Sequence, residues 1–400
     1  MARQIITGID IGTREVRVVI AEETLEGGKS VHKIIGMGSA ESKGLHHGYI
    51  TNQHEATRSI MSAVKEAEKF AKIYVKRAFI SVGGIGLSGV TTTGSAIVSR
   101  ADLEITKLDL EKAQEGAETA IPHAVALNKK IINTIPIEYK TDGKVAWGRV
   151  LGLKAQKVDA KVLFIMCLEH HIQDLIQAVE SADIEVIDVV AAPIAASFST
   201  LSKNQKKAGC VLANIGAETL SIVVFENSNP VSLEVFPIGG NDITNDIALG
   251  LKVSLEEAES IKLGSVTSSN ISKKKLEEIV TARLTDMFEL IETHLKRIGR
   301  NALLPAGIVI TGGGSSIVNI KTLAENTLKL PSKIAEIHFG EELKTKTRDQ
   351  AWAVAYGLSI FGFNVDGEQN ITGPSPMKAI SSALKPGLNS LGKWFGQFLP

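Results

Sequence analysis

Apolar and polar residues along this chain alternate in two registers, and the switches between them mark out its elements. It opens with IITGIDIG, a turn at Thr13-Arg14-Glu15 and VRVVIAEE, short apolar runs around a glycine that predict a strand–turn–strand unit. A third strand is expected around HKIIGMGSA. From Gln53 to Ala71 the apolar positions Ile60, Val64, Ala67 and Phe70 recur at helical spacing, and RAFISVGG then reads as a buried strand. Residues from about 85 to 159 have another texture: Thr-rich strands, a helix near Leu108–Ala120, IINTIPIEYK and a glycine-punctuated loop. That stretch predicts an inserted α+β module.

Regular α/β alternation returns with AKVLFIMCL, a helix over Ile172–Ser181 and the strand IEVIDVV. A second strand–turn–strand unit follows in CVLANIGAETLSIVVF, with another strand near VSLEVFPIGG. Helices are expected over Ile243–Leu251, Leu255–Lys262 and Lys273–Ile298, after Ile317, and over Asp349–Phe361. The strand GIVITGGG precedes the last two. NVDGEQNITGPSPM reads as a linker. Because the hairpin of Ile5–Ile20 recurs at Gly209–Phe225, two related lobes closing over one ligand are expected.

Length and charge narrow this further. The chain has 400 residues, and single cores stop growing at about 250–300, so two lobes are the default. Lys+Arg and Asp+Glu both total 44, which gives no global attraction to nucleic acid. Cys167 and Cys210 sit in apolar runs without metal-ligand spacing and are expected as buried thiols in a reducing compartment. The pairs His46–His47 and His170–His171 lack ligand partners and read as surface or satisfied histidines. No secretory signal is expected at the N-terminus, and no apolar run reaches the ~20 residues of a membrane span. The expected place is the cytosol or the cytosolic face of a membrane.

Candidate chemistry lies at three turns. Ile9-Asp10-Ile11-Gly12-Thr13 puts an acid at a strand end before a turn tight enough to need glycine. Such a turn aims backbone N–H groups and a hydroxyl at a phosphate, while the carboxylate holds Mg²⁺ through water. Gly216, Glu218 and Thr219 occupy the matching turn of the second hairpin. Thr311-Gly312-Gly313-Gly314 ends an apolar strand and opens a helix, so backbone there approaches a ligand closely.

GIDIGT, NIGAET, APIAA (Ala192–Ala196) and VITGGGSS resemble the phosphate 1, phosphate 2, connecting and adenosine motifs of the actin/heat-shock-chaperone/sugar-kinase superfamily. SKGLHHGYI, INTIPIEY, IGGNDITNDIALGL and a basic amphipathic tail extend the likeness, over essentially the whole chain, to the FtsA family of bacterial cell-division proteins. The resemblance implies an α/β, actin-like two-lobed fold with ribonuclease-H-like sheets, an inserted α+β subdomain and a C-terminal amphipathic helix. The implied divisions are a first lobe over 1–84 and 161–198, an inserted subdomain over 85–160, and a second lobe over 199–362 with a smaller part at about 245–305. A linker over 363–377 and a membrane-targeting helix over 378–400 follow. It further implies ATP and Mg²⁺ as ligands, with Asp10, Gly12, Thr13, Arg14, Asn214, Gly216 and Thr219 at the phosphates and metal. Gly239 and Gly240 are implied to bind the nucleotide too, Glu259 and Lys262 to flank adenine and ribose, and Gly312, Gly313 and Gly314 to pack on the adenosine.

One departure stands out. The superfamily has Asp where Asn214 stands, so a charge that helps hold Mg²⁺ and order water is missing. Glu218, where the family usually has Gly, either replaces that charge in part or is exposed. Nucleotide binding with at most weak hydrolysis, and no phosphotransfer, is the expectation.

The tail carries the second signal. Wound at 100° per residue, Leu388, Leu391, Trp394, Phe395, Phe398 and Leu399 fall within an arc of roughly 140°. Lys393 and the polar residues fill the other side, and no acid follows Glu368. This predicts contact with an anionic membrane surface. By resemblance the chain is a non-catalytic adaptor that stacks head-to-tail, meets other division proteins and carries the FtsZ ring to the cytoplasmic face of the inner membrane at the division site. Arg283 and Asp286 stand where the family contacts the FtsZ C-terminal tail. The competing readings are a pilus-assembly actin relative and a metabolite kinase of the sugar-kinase branch.

Overall fold

In the computed structural model of the chain, which describes residues 4–26, 29–264, 272–337 and 349–371, the opening hairpin forms as expected. Strand β1 (Gln4–Ile11) pairs antiparallel with β2 (Glu15–Glu26), and β2 with β3 (Lys29–Glu41). Two short strands, β4 (Leu45–His46) and β5 (Tyr49–Ile50), lead into α1 (Gln53–Ala71). Asn52 starts this helix by accepting the Glu55 N–H, and Lys72 ends it in the left-handed region at φ 55°. Ile60, Ala63, Val64 and Ala67 make its buried stripe. Phe70, expected on that stripe, is 62% exposed. Ala71, rather than Phe70, turns toward β3 at Gly36. Strand β6 (Arg77–Val82) then lies parallel to β1.

The inserted stretch comprises β7 (Ser88–Ile97), α2 (Lys107–Thr119), α3 (His123–Ala126), β8 (Lys129–Thr141), β9 (Lys144–Val145) and β10 (Lys157–Leu168), with sheet order β7-β10-β8-β9. This corrects one expectation: AKVLFIMCL is not a first-lobe strand but the centre of the inserted sheet, antiparallel to both β7 and β8. The misreading has a physical cause. Val158, Val162 and Phe164 pack with Ala113 and Ala117 of α2, while Leu163, Ile165 and Cys167 join the central core on the other face. A strand buried on both faces carries the continuous apolar run of a parallel one.

Asp109 anchors α2. It accepts from the N–H and hydroxyl of Thr106 (2.8 and 2.6 Å) and from the N–H and hydroxyl of Ser99 (3.1 and 2.9 Å). Led by the Thr106 hydroxyl and against the effect of burial, these bonds hold its carboxyl down at about 2 from 3.8. A depressed acid contributes stability that is complete above its unfolded value and fades as pH falls through the folded one. Asp109→Ala should therefore destabilise the protein by about 2 kcal/mol at pH 7. Melting curves should show the difference from wild type shrinking below pH 4 and smallest below pH 2.

After α4 (Glu169–Glu180), β11 (Glu185–Ala191), α5 (Ala192–Thr200) and α6 (Lys203–Ala208), the second hairpin forms from β12 (Cys210–Ile215) and β13 (Leu220–Glu226), continued by β14 (Asn229–Phe236). Helices α7 (Gly240–Leu251), α8 (Leu255–Lys262) and α9 (Lys273–Arg297), strand β15 (Ile308–Thr311), α10 (Ile320–Leu328), β16 (Ser332–Ile334) and α11 (Ala353–Ile371) complete the described chain. The two large sheets run β3-β2-β1-β6-β11 and β14-β13-β12-β15-β16. Each is three antiparallel strands extended by two parallel ones, so the repeat seen as a duplicated hairpin is a repeat of whole sheets.

Helices α5 and α11 cross between the sheets. A Cβ on Gly357 would lie 1.8 Å from the Ala195 carbonyl oxygen, so only glycine permits this approach. Helix α11 runs past Phe363, where the sequence suggested a linker. The rest of that linker and the tail residues Leu388, Leu391, Lys393, Trp394, Phe395, Phe398 and Leu399 lie outside the described residues. No helix among the described residues is long and apolar enough to cross a membrane. Cys167 and Cys210 are buried and unpaired with each other, and burial pushes both thiols up to about 12.

Candidate nucleotide cleft

The turns after β1, β12 and β15 open onto one cleft of about 380 Å³, between the two like-folded sheets and closed at the side by α7 and α8. Small-ligand sites usually enclose ~300–1,000 Å³. A larger cavity of about 820 Å³ lies where the inserted sheet meets β14, away from these turns. Two of its arginines already hold carboxylates, Arg297 with Glu234 and Arg300 with Glu226.

The glycines of the cleft have separate tasks. A Cβ on Gly12 would sit 2.8 Å from the Glu15 carbonyl oxygen, so the first turn closes only without one. In the second turn the Gly216 N–H donates to the Thr219 carbonyl at 2.8 Å. Gly312 has φ 86°, and its Cβ would meet Asn214 Oδ1 at 2.3 Å. Gly314 is pressed against Ile215, whereas nothing lies within 4 Å of a Cβ built on Gly313, which faces open cleft.

Asp10, at the end of β1, is buried and accepts the Ser81 hydroxyl at 2.7 Å. Burial raises its pKa, against the opposing pull of Ser81 and the charge of Arg17. A carboxylate held in that condition favours a cation beside it. Across the cleft, Lys262 is almost wholly covered and donates to the Gly240 carbonyl (3.0 Å), the Thr244 hydroxyl (2.7 Å) and Glu259 (2.6 Å). Burial would raise the pKa of Glu259, but Lys262, Thr244 and Arg14 hold it down at about 2. Burial lowers that of Lys262, and Glu259 opposes it. Arg14 reaches from the first turn to bond Glu259, so the charges of the two lobes meet in the cleft.

Asp10, Gly12, Thr13 and Arg14, then Asn214, Gly216 and Thr219, then Gly240, Glu259 and Lys262, and finally Gly312, Gly313 and Gly314 all line the cleft. Gly239 does not. Its N–H donates to Asp242 Oδ2 at 2.7 Å to begin α7, and a Cβ there would lie 2.5 Å from the Ala217 carbonyl oxygen. Glu218 also lies outside the lining; it is not exposed, and its carboxylate is engaged with the His47 N–H and His46.

Sequence reading missed Arg17 and Ser81. Arg17 faces Asp10 in the β1–β2 register, bonds Glu15 at 2.7 Å and lies 5.9 Å from the Trp352 ring centre. The signal was an arginine in an otherwise apolar strand. For Ser81 it was a hydroxyl inside RAFISVGG. Arg283 and Asp286 stand apart from the cleft on α9. Arg283 grips Asp246 of α7 at 2.7 and 3.1 Å and reaches Asp286 at 3.5 Å. The described residues hold no group of three or more His, Cys, Asp or Glu fit for a metal ion.

A sequence model of the family "Cell division protein FtsA" matches residues 211–357. FtsA of Pseudomonas aeruginosa is 28% identical over 380 residues, covering 90% of this chain and 89% of its own. FtsA of Bacillus subtilis is 27% identical, covering 90% and 83%, and that of Escherichia coli strain K12 is 24% identical, covering 98% and 97%. Among solved structures, the PilM–PilN type IV pilus biogenesis complex superposes with TM-score 0.67 at 16% identity, over 89% of this chain and 98% of that one. An MreB of Spiroplasma citri bound to ADP gives 0.53 at 13% identity, over 93% and 99%. These likenesses establish an actin-like ATPase fold.

Proposed function

Starting from a chain related over nine-tenths of its length to the FtsA cell-division proteins and folded like an actin-type ATPase, we propose an ATP-binding scaffold that polymerises and tethers the FtsZ ring to the cytoplasmic membrane. One observation carries this reading: two sheets of the same topology aim three glycine turns and a buried carboxylate into a single cleft. The residues fit a magnesium nucleotide. Asp10 would hold the metal, the turns at Gly12–Thr13 and Gly216–Thr219 the phosphates, Gly313 the open wall for adenosine, and Glu259 with Lys262 the ribose and base. Bound magnesium supplies charge neutralisation of the phosphates. Asn214, at the end of β12 where the superfamily has an acid, brings no charge to the cleft, which supports binding with slow turnover.

Closure of the lobes on nucleotide sets the shape that stacks head-to-tail, with the inserted sheet as one longitudinal contact. The tail holds each protomer to the bilayer interface. Arg283 takes a carboxylate of the FtsZ tail by exchanging its grip on Asp246. Sedimentation of the full chain with anionic vesicles tests the scheme. ATP should increase the pelleted fraction, and filaments should be visible on the vesicle surface by electron microscopy. Equal pelleting with and without ATP, and bare vesicles, count against it.

A further inference from the structure

Glu218 makes a contact that the cleft does not need for its lining. Its Oε2 accepts the His47 N–H at 2.5 Å and lies 3.3 Å from His46 Nδ1. Its own carbonyl oxygen lies 3.2 Å from His47 Nδ1. Side chain and backbone of one residue thus clasp a His–His pair from the other lobe. The clasped loop is fixed to its own lobe as well. Gly48, next in sequence, packs on Gly84 so closely that a Cβ on Gly48 would lie 2.5 Å from the Gly84 Cα. Gly48 and Gly84 both line the cleft. The loop is therefore a strut from the wall of the first lobe to the second hairpin.

The two charged contacts named here between the lobes differ in kind. Arg14 and Glu259 meet inside the cleft, where a nucleotide competes for both. Glu218 stands outside the lining, so a ligand in the cleft does not compete for its carboxylate. A carboxylate accepting a backbone N–H in a site only 18% exposed is a strong contact, stiffer than a surface ion pair.

We propose that Glu218 latches the lobes together at the phosphate end of the cleft and sets how fast nucleotide escapes. The proposal rests on the nucleotide reading of the cleft, so its test includes a measurement that needs no nucleotide. In the full chain, release of a fluorescent ATP analogue is followed by stopped flow for wild type, Glu218→Ala and Glu218→Gln. Loss of a charge-assisted bond should speed release on the order of tenfold in the alanine variant, with association unchanged. Glutamine keeps an acceptor for the His47 N–H and should stay within about threefold of wild type. In parallel, spin labels at Lys69 of α1 and Lys321 of α10 report the separation of the lobes without nucleotide. Glu218→Ala should broaden that distance distribution, and Glu218→Gln should leave it narrow. An unchanged release rate or an unchanged distribution in Glu218→Ala overturns the proposal. If wild type binds no analogue, the nucleotide reading fails, and the label distances alone decide whether Glu218 is a latch.

Discussion

Replacing Trp394 by glutamate should move the protein from the vesicle pellet into the supernatant. Wound at 100° per residue, Trp394 would fall at one edge of the apolar arc it shares with Leu388, Leu391, Phe395, Phe398 and Leu399, as its largest side chain. Burying one large apolar side chain is worth ~1.5–3 kcal/mol, and interfacial burial delivers part of it. The glutamate would also bring a charge that must stay hydrated onto the face expected to enter the lipid. Lysines at 378, 385 and 393 each add ~1 kcal/mol on an anionic leaflet. One tail should therefore bind reversibly, and an array of tails firmly. Losing roughly 3 kcal/mol per protomer is on the order of a hundredfold in affinity. Lys393→Glu should act differently, weakening binding mainly on anionic lipid and at low salt. Co-sedimentation at matched protein concentration separates the two. If Trp394→Glu pellets as well as wild type, the tail is not the anchor.

The second large effect belongs to the cleft. Gly313→Asp should abolish ATP binding without unfolding the protein, because its side chain enters empty space rather than a packed wall. Gly312→Ala is the control with the opposite signature. It forces a Cβ onto Asn214 Oδ1 at a φ of 86° and should lower the melting temperature. Asp10→Ala should also lose the magnesium nucleotide, yet be at least as stable as wild type without it. The sign follows from its raised pKa: the folded state disfavours the charged carboxylate, so removing that carboxylate relieves the fold. Titration calorimetry and melting curves on the three variants check this together. Loss of binding that tracks loss of melting temperature would mean the glycine and the acid serve the fold alone.

What the sequence disclosed and what it hid divide by range. The hairpins, α1 and α8 were legible because strand runs, glycine turns and helical spacing are local. The cleft residues followed because each sits within a short motif of its own turn. AKVLFIMCL misled because burial on both faces erases the alternation that tells an antiparallel strand from a parallel one. Arg17 was hidden because its place depends on register, facing Asp10 across the hairpin, and Ser81 because β6 approaches from some seventy residues away. Glu218 was read as a substitute acid or a surface residue. Its partners, His46 and His47, lie 171 residues away from it in the case of His47, beyond any local pattern. Gly239 looked like its neighbour Gly240, and only the path of the backbone separates the helix start from the cleft wall.

The central claim, that the cleft between the two sheets is a nucleotide site, meets its most direct test in a calorimetric titration of ATP with magnesium into the nucleotide-free full chain. The account predicts saturable one-to-one binding, lost when magnesium is chelated or when Gly313 is aspartate. Absence of any binding heat from wild type across a range of temperatures, with the protein folded, would contradict it.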